Sequence, residues 1–174
     1  MEKELTEKGK RTKQLAEISA WAALYAVLTW TFAPISYQVL QFRLAECLKS
    51  IVVPRKHLIL AFVIGNALSN ILSPFAGLWE FVWMPLINLF GASTAWFFGS
   101  KLFSSKTSVK AMFFGGTFYA IWVAFGVAFM LCVLFNLPLL VTFAYLLVPE
   151  FILIACLSPV MHKVNRFISK NGTL

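Results

Sequence analysis

The sequence is dominated by long apolar stretches, which begin at Leu15 and continue with short interruptions to about Met161. A transmembrane helix needs roughly 20 mostly apolar residues, so this region is long enough for several. Charged residues make up 13% of the chain, about half the usual share in a soluble domain. A water-soluble core of this size cannot bury so much apolar surface. We therefore expect an integral membrane protein and exclude a soluble enzyme, a disordered chain and a secreted disulfide-rich domain.

Proline-containing steps and one basic stretch divide the apolar region into segments. The residue before a proline disfavours helical geometry, and such steps separate several of the apolar runs. The pattern predicts an all-α integral membrane protein with one transmembrane domain, residues 15–161, between tails of residues 1–14 and 162–174. The domain is predicted to be a single bundle of six transmembrane helices, at 15–33, 38–54, 57–75, 78–103, 111–136 and 138–161. The second of these helices is the most charged, and it is either a short tilted helix or a segment folded partly at the membrane interface.

Lysine and arginine residues indicate the orientation of this bundle. They occur in both tails and in the connections between helices 2 and 3 and between helices 4 and 5, whereas the other connections carry none. Cytoplasmic loops carry an excess of basic residues, so we predict that both termini are cytoplasmic. The net charge of +8 then follows from the topology, and no nucleic-acid partner is expected.

The sequence contains none of the common catalytic motifs. It lacks a Gly-x-x-x-x-Gly-Lys-Ser/Thr phosphate loop, a His-Glu-x-x-His zinc motif and a Gly-x-Ser-x-Gly nucleophile turn. The three cysteines lie in different predicted helices without metal-ligand spacing, and we interpret them as packing residues. We therefore predict a non-catalytic protein without a metal or a cofactor.

Polar side chains within the predicted helices are the candidates for a binding site. An ionisable group at the centre of a membrane helix costs at least ~2.5–3.5 kcal/mol, which makes each one a functional candidate. Most of these groups converge on the outer half of the predicted bundle, and they predict a pocket that opens outward. The alternative is structural: ion pairs, interhelical hydrogen bonds and an interfacial aromatic belt. The candidate substrate-binding residues are Arg43, Glu46, Asn66, Asn70, Trp79, Glu80, Trp83, Asn88, Tyr145 and Glu150.

The first predicted helix carries small residues at a spacing of four. Such stripes allow helices to approach closely in lipid. They indicate either packing inside this bundle or docking to a separate membrane subunit. The candidate docking residues are Ser19, Ala22, Ala23 and Ala26.

Several motifs resemble those of one known family. The relevant stretches are Ala-Pro-Ile-Ser-Tyr at 33–37, Gln-Phe-Arg-Leu-Ala-Glu at 41–46, Asn-Ala-Leu-Ser-Asn-Ile-Leu-Ser-Pro-Phe at 66–75 and Gly-Leu-Trp-Glu at 77–80. The sequence resembles the QueT family, the substrate-binding S components of energy-coupling factor (ECF) transporters. The resemblance covers about residues 16–100. Glu80 stands where the family pattern has Asp, and Lys49 stands where it has a small or neutral residue.

The resemblance implies a specific transport role. S components are six-helix proteins of the prokaryotic cell membrane that bind a vitamin-like nutrient from outside. They dock through helix 1 onto a transmembrane coupling subunit that carries two ATPases, and they release the nutrient inside. QueT members are associated with deazaguanine precursors of queuosine or with queuine. Such a base has donors and an acceptor on one edge, which carboxylates, asparagines and an arginine can bind.

Two other functions stay open from the residues alone. The chain is alternatively an S component for another flat polar nutrient. It is otherwise a small intramembrane enzyme or an assembly protein, although no nucleophile–base pair or metal set supports that class.

Overall fold

The computed structural model describes residues 2–37 and 42–171, with side chains from 7 to 170 in these ranges, and all its regular elements there are helical. This confirms the all-α prediction. Short 3₁₀ turns at Lys56–Leu58 and Asn70–Leu72 extend α3 at both ends, and π turns occupy Trp79–Trp83 and Phe151–Cys156. The main elements are α1 (Glu2–Thr31), α2 (Ala33–Ser36), a 3₁₀ helix (Leu44–Val52), α3 (Ile59–Ser69), α4 (Met84–Lys101), α5 (Val109–Phe135), α6 (Leu139–Glu150) and α7 (Ser158–Asn171).

Three continuous helical stretches are long and apolar enough to cross a membrane, by length and composition: Trp79–Lys101, Val109–Phe135 and Leu139–Lys170. A shorter apolar helix covers Lys56–Leu72. These stretches support a membrane protein. Each of the six predicted segments overlaps a helical stretch of the structure. The number of spans and the cytoplasmic location of both termini stay predictions.

The helices extend further into the tails than the apolar pattern indicates. Helix α1 begins at Glu2, so the described part of the N-terminal tail is helical. At the other end, α7 continues to Asn171. The hydropathy pattern locates apolar runs, and it cannot show where a helix continues as a polar, solvent-facing extension.

The second predicted segment differs most from expectation. Residues 38–41 lie outside the described residues, and the rest of the segment forms the nine-residue 3₁₀ helix. At a rise of about 2.0 Å per residue this helix is roughly 18 Å long, against ~30 Å for the hydrocarbon core. It is surrounded by α1, α4, α5, α7 and the π turn after α6. The 3₁₀ helix is therefore a central element of the bundle, and by itself it is shorter than the hydrocarbon core.

Close helix packing around the 3₁₀ helix depends on glycine. A Cβ atom at Gly115 of α5 would lie 2.5 Å from Val53 Cγ2 and 2.7 Å from the backbone oxygen of Ala95 on α4. On α3, a Cβ atom at Gly65 would lie 3.1 Å from the backbone oxygen of Ala22 on α1. The absence of a side chain at these positions lets the helices approach closely, as small residues do in membrane proteins.

A polar cluster joins three elements at the end of the bundle that we predict to be cytoplasmic. The carboxylate of Glu17 on α1 accepts a hydrogen bond from Arg55 Nη1 at 2.9 Å and contacts His57 Nε2. Arg55 Nε donates to Asn165 Oδ1 on α7 at 2.9 Å. The cluster thereby ties α7 to α1 through the connection that precedes α3.

Replacement of Gly115 by valine tests the packing of the 3₁₀ helix. We expect Gly115→Val to destabilise the purified protein by about 1–3 kcal/mol, because overpacking of a tight contact costs that much. Thermal unfolding in detergent measures the effect. The matched control is Gly9→Val on the exposed part of α1, where a Cβ atom meets nothing within 4 Å. An equal unfolding temperature for the two variants would contradict the packing described here.

Candidate functional site

The geometry of the 3₁₀ helix aligns a row of charged side chains. Its three residues per turn place residues i and i+3 directly above one another. Arg43, which precedes the first turn, Glu46 and Lys49 therefore share one face, and all three are buried. Another face of the same helix carries Ala45, Leu48 and Ile51, which also repeat every three residues and pack into the apolar core.

Arg43 connects two other segments of the chain. Its Nη1 atom donates to Asn70 Oδ1 at 3.0 Å, and its Nη2 atom lies 3.7 Å from Glu80 Oε1. The side-chain amide of Asn70 donates to the backbone oxygen of Glu80 at 2.9 Å and lies 3.5 Å from Asn66 Oδ1. We call Arg43, Asn66, Asn70 and Glu80 the arginine cluster. All four residues are among the sequence-predicted candidates, and the structure brings them together.

A second buried group surrounds Glu46. The Glu46 carboxylate accepts a hydrogen bond from the Tyr25 hydroxyl on α1 and forms an ion pair with Lys49. The Lys49 ammonium lies 5.5 Å and 4.9 Å from the ring centroids of Tyr25 and Tyr119, within the range of cation–π attraction. Glu150 is buried and directly precedes the π turn Phe151–Cys156, which packs on the 3₁₀ helix. We call Tyr25, Glu46, Lys49, Tyr119 and Glu150 the lysine cluster.

Three members of the lysine cluster were not predicted as site residues. Lys49 follows Glu46 by three residues, and this spacing, which places two side chains on one face of an α-helix or a 3₁₀ helix, was the available signal. Tyr25 and Tyr119 are fully buried, but nothing local in their apolar helices distinguishes them from core residues. Only the tertiary arrangement brings these two hydroxyl groups to the charged face.

Two of the clusters' carboxylates are positioned by π turns. Glu80 lies within the π turn Trp79–Trp83, and Glu150 directly precedes the π turn Phe151–Cys156. Such turns are frequent at functional sites. The second turn follows Pro149, which lacks the backbone N–H that an α-helix needs at that point.

Several buried polar atoms of the clusters have unused hydrogen-bonding capacity. Arg43 Nε, Glu80 Oε2 and Glu150 Oε2 have no hydrogen-bond partner among the described residues. Buried polar groups in proteins are nearly always hydrogen-bonded, and leaving one unpaired costs about 1–3 kcal/mol. One donor and two acceptors are therefore available to a polar ligand within the membrane region.

Asn88 lies beside the clusters but is already satisfied. Its amide donates to the backbone oxygen of Met84 at 2.9 Å, and its oxygen accepts from the Tyr119 hydroxyl at 3.1 Å. Asn88 therefore supports the lysine cluster by holding Tyr119, and this is a more structural position than the sequence suggested.

The two tryptophans pack on α5. The rings of Trp79 and Trp83 meet edge to face at 6.0 Å, and both contact Phe129. Trp83 Nε1 donates to the backbone oxygen of Gly126 at 2.9 Å. The pair also lines an apolar groove of about 210 Å³. Both rings thus belong to an aromatic group, and Glu80 of the arginine cluster lies in the same π turn.

Tyr145 does not join either cluster. Its side chain is 49% exposed, whereas Glu150 on the same helix is 5% exposed. Five residues of an α-helix turn the chain by roughly 140° beyond a full revolution, so these two side chains face different sides. The expectation that Tyr145 lines the pocket is not met in this structure.

The predicted docking stripe of α1 is divided between two faces. Ala22 and Ala26 are 3% and 2% exposed, and Ala22 packs against Gly65 of α3. Ser19 and Ala23 are exposed. Ala22 and Ala26 therefore serve packing inside the bundle, whereas Ser19 and Ala23 are available to a partner.

Among the described residues, no group of three or more histidine, cysteine, aspartate or glutamate side chains is arranged to hold a metal ion. The two clusters contain hydrogen-bond donors, hydrogen-bond acceptors and charged groups of both signs.

Comparison with known proteins agrees with the resemblance seen in the sequence. The family model described as QueT transporter matches residues 15–166, which include both clusters. The queuosine precursor transporter QueT of Lactococcus lactis subsp. cremoris (strain MG1363) is 33% identical over 156 residues, covering 83% of this chain and 87% of that protein. No solved structure matches this chain. The chain belongs to the QueT transporter family.

Proposed function

We propose that this chain is the substrate-binding S component of an ECF-type importer, and that its substrate is a deazaguanine precursor of queuosine. Membership of the QueT transporter family makes the chain a transporter. The relative in Lactococcus lactis is named a queuosine precursor transporter. The observation that carries the substrate proposal is the arginine cluster, where a buried arginine and a buried carboxylate each keep an unpaired atom.

The arginine cluster suits the edge of a guanine-like base. Such a base presents two adjacent N–H donors, and a carboxylate accepts two donors in a bidentate arrangement. Glu80 Oε2 has no hydrogen-bond partner among the described residues. Glu80 Oε1 lies 3.7 Å from Arg43 Nη2, which is longer than a hydrogen bond, so this oxygen can also accept from the base. The base carbonyl next to the donors would accept a hydrogen bond from Arg43 Nε. Glu80 stands where the family pattern has Asp, and it keeps the negative charge on a side chain that is one methylene longer.

The energy for import would come from separate subunits. The sequence lacks an ATP-binding phosphate loop, so we assign ATP hydrolysis to two ATPases that act through a membrane coupling subunit. The exposed small residues of α1 provide a surface for that subunit, since small side chains allow close helix contact. This surface comprises Ala16, Ser19, Ala20 and Ala23.

The substrate proposal predicts selective binding that depends on Glu80. We expect the detergent-purified chain to bind aminomethyl- or cyano-deazaguanine more tightly than guanine or riboflavin. Loss of a hydrogen bond to a charged group costs about 1.5–3 kcal/mol, so Glu80→Gln should weaken binding roughly 10- to 100-fold. Equilibrium binding by calorimetry measures both effects. The control is Glu7→Gln, at an exposed position on α1. Tight binding of riboflavin, or unchanged affinity in Glu80→Gln, would contradict the proposal.

The docking proposal predicts a defect in uptake without a defect in binding. Ala23→Trp should abolish substrate uptake and co-purification with the coupling subunit, because a bulky side chain separates the two helices. Substrate affinity of the isolated variant should stay at the wild-type value. The matched control is Ala144→Trp, an exposed alanine on α6, which should retain uptake. Retained co-purification of Ala23→Trp would remove α1 from the docking surface.

A further inference from the structure

A basic pocket lies between α7 and the connection that joins α4 to α5. His162 Nδ1 on α7 donates a hydrogen bond to the backbone oxygen of Thr107 at 2.8 Å, and this contact holds the connection against the helix. Neither the arginine cluster nor the lysine cluster contributes a residue to the pocket, so it is separate from the candidate substrate site. The pocket has a volume of about 470 Å³ and is lined by Thr107, Asn165, Arg166, Phe167, Ser169 and Lys170.

A buried amide contributes a hydrogen-bond donor to this pocket. Asn165 is 4% exposed, and its side-chain oxygen accepts a hydrogen bond from Arg55 Nε at 2.9 Å. No hydrogen bond within the described residues uses its amide nitrogen. Buried polar groups are nearly always hydrogen-bonded, so a ligand in the pocket is the natural acceptor for this amide.

The positive charge of the pocket is not neutralised by the protein. Arg166 and Lys170 are exposed, and no carboxylate in the part of the chain with described side chains forms an ion pair with either of them. Glu17, which is connected to α7 through Arg55, already pairs with Arg55 and His57. The pocket therefore favours an anion, and arginine binds phosphate oxygens through strong charge-assisted hydrogen bonds.

The position of the pocket along its helix favours a lipid as the source of that phosphate. The helical stretch Leu139–Lys170 has 32 residues, which corresponds to ~48 Å against ~30 Å for the hydrocarbon core. With Leu139 at the opposite surface, the stretch extends about 12 residues beyond the core, so the pocket lies at the level of the headgroups. Phe167 lines the pocket and is 67% exposed, and an exposed ring beside cations is typical of helices that contact lipid.

We infer that this pocket binds the phosphate of an anionic phospholipid headgroup. Arg166 and Lys170 supply the charge, and Asn165 and Ser169 supply neutral donors. Basic pockets between the cytoplasmic ends of membrane helices bind anionic headgroups, and we predict that this end of the bundle is cytoplasmic. The bound lipid joins α7 to the connection before α5. The inference goes beyond the proposed function and does not depend on the transported substrate.

Native mass spectrometry of the detergent-purified chain tests the inference on the wild-type protein. Phosphatidylglycerol, phosphatidylcholine and inorganic phosphate are added in separate titrations. We expect one phosphatidylglycerol per chain to bind roughly 10-fold more tightly than phosphatidylcholine, because the choline cation is repelled by Arg166 and Lys170. Inorganic phosphate should bind more weakly than phosphatidylglycerol, because it has no acyl chains to contact Phe167.

Two double variants locate the lipid. Arg166→Gln combined with Lys170→Gln removes both cations of the pocket and should weaken phosphatidylglycerol binding roughly 10- to 30-fold. The matched control is Lys8→Gln combined with Arg11→Gln, which removes the same charges from an exposed part of α1 outside the pocket. It should change the affinity less than about 3-fold, because charges away from the bound lipid are screened by salt.

Several outcomes overturn the inference. Equal binding of the two lipids, or an equal loss in the two double variants, would show that the net charge of the chain attracts lipid without a specific pocket. Inorganic phosphate that binds as tightly as phosphatidylglycerol would make a free anion the ligand. Unchanged lipid binding in the Arg166 and Lys170 variant would assign these cations to another partner, such as an acidic protein segment. The comparison of the two lipids requires no variant, so it decides the question even where a substitution prevents folding.

Discussion

The burial of a charged row on the 3₁₀ helix is the constraint on which the rest of this structure depends. Arg43, Glu46 and Lys49 lie at the centre of an apolar bundle, where an unpaired charge is costly and breaking one partner of a buried pair costs about 3–5 kcal/mol. Other segments of the chain supply compensating groups. Glu80 reaches Arg43 from the π turn before α4, and Tyr25 reaches Glu46 from α1. The positions of the surrounding helices are therefore linked to the charges of the 3₁₀ helix.

This arrangement explains why the regular helices are interrupted where they are. A π turn shifts the register of a helix, and both π turns of the described residues lie at a carboxylate of the clusters. The close approach of α5 at Gly115 lets the 3₁₀ helix pack between α4 and α5. Irregular backbone and glycine contacts thus surround the polar centre. The long apolar helical stretches that contain these π turns, together with α5, are long enough to cross a membrane.

Much of the site was predictable from the sequence because polar residues in apolar segments are few. Arg43, Glu46, Asn70 and Glu80 are conspicuous for that reason. The structure joins Arg43 to Asn70 and Glu80, and it pairs Glu46 with Lys49. Lys49 is a conspicuous ionisable residue too, but it was left out of the predicted site although its spacing from Glu46 places both on one face. Tyr25 was left out because its role depends on a contact 21 residues away. Tyr145 was assigned from depth alone, which does not specify the face of a helix. The α1 stripe was read as one surface, although small residues serve internal packing and docking equally well.

An experimental structure of the purified chain with a bound deazaguanine base tests the central claim most directly. We expect the donor edge of the base to lie within hydrogen-bond distance of Glu80, with Arg43 on the base carbonyl. A base bound elsewhere, for example in the apolar groove beside Trp79 and Trp83, with both clusters unchanged, would contradict it. In that case the buried charges would serve only to hold the bundle together.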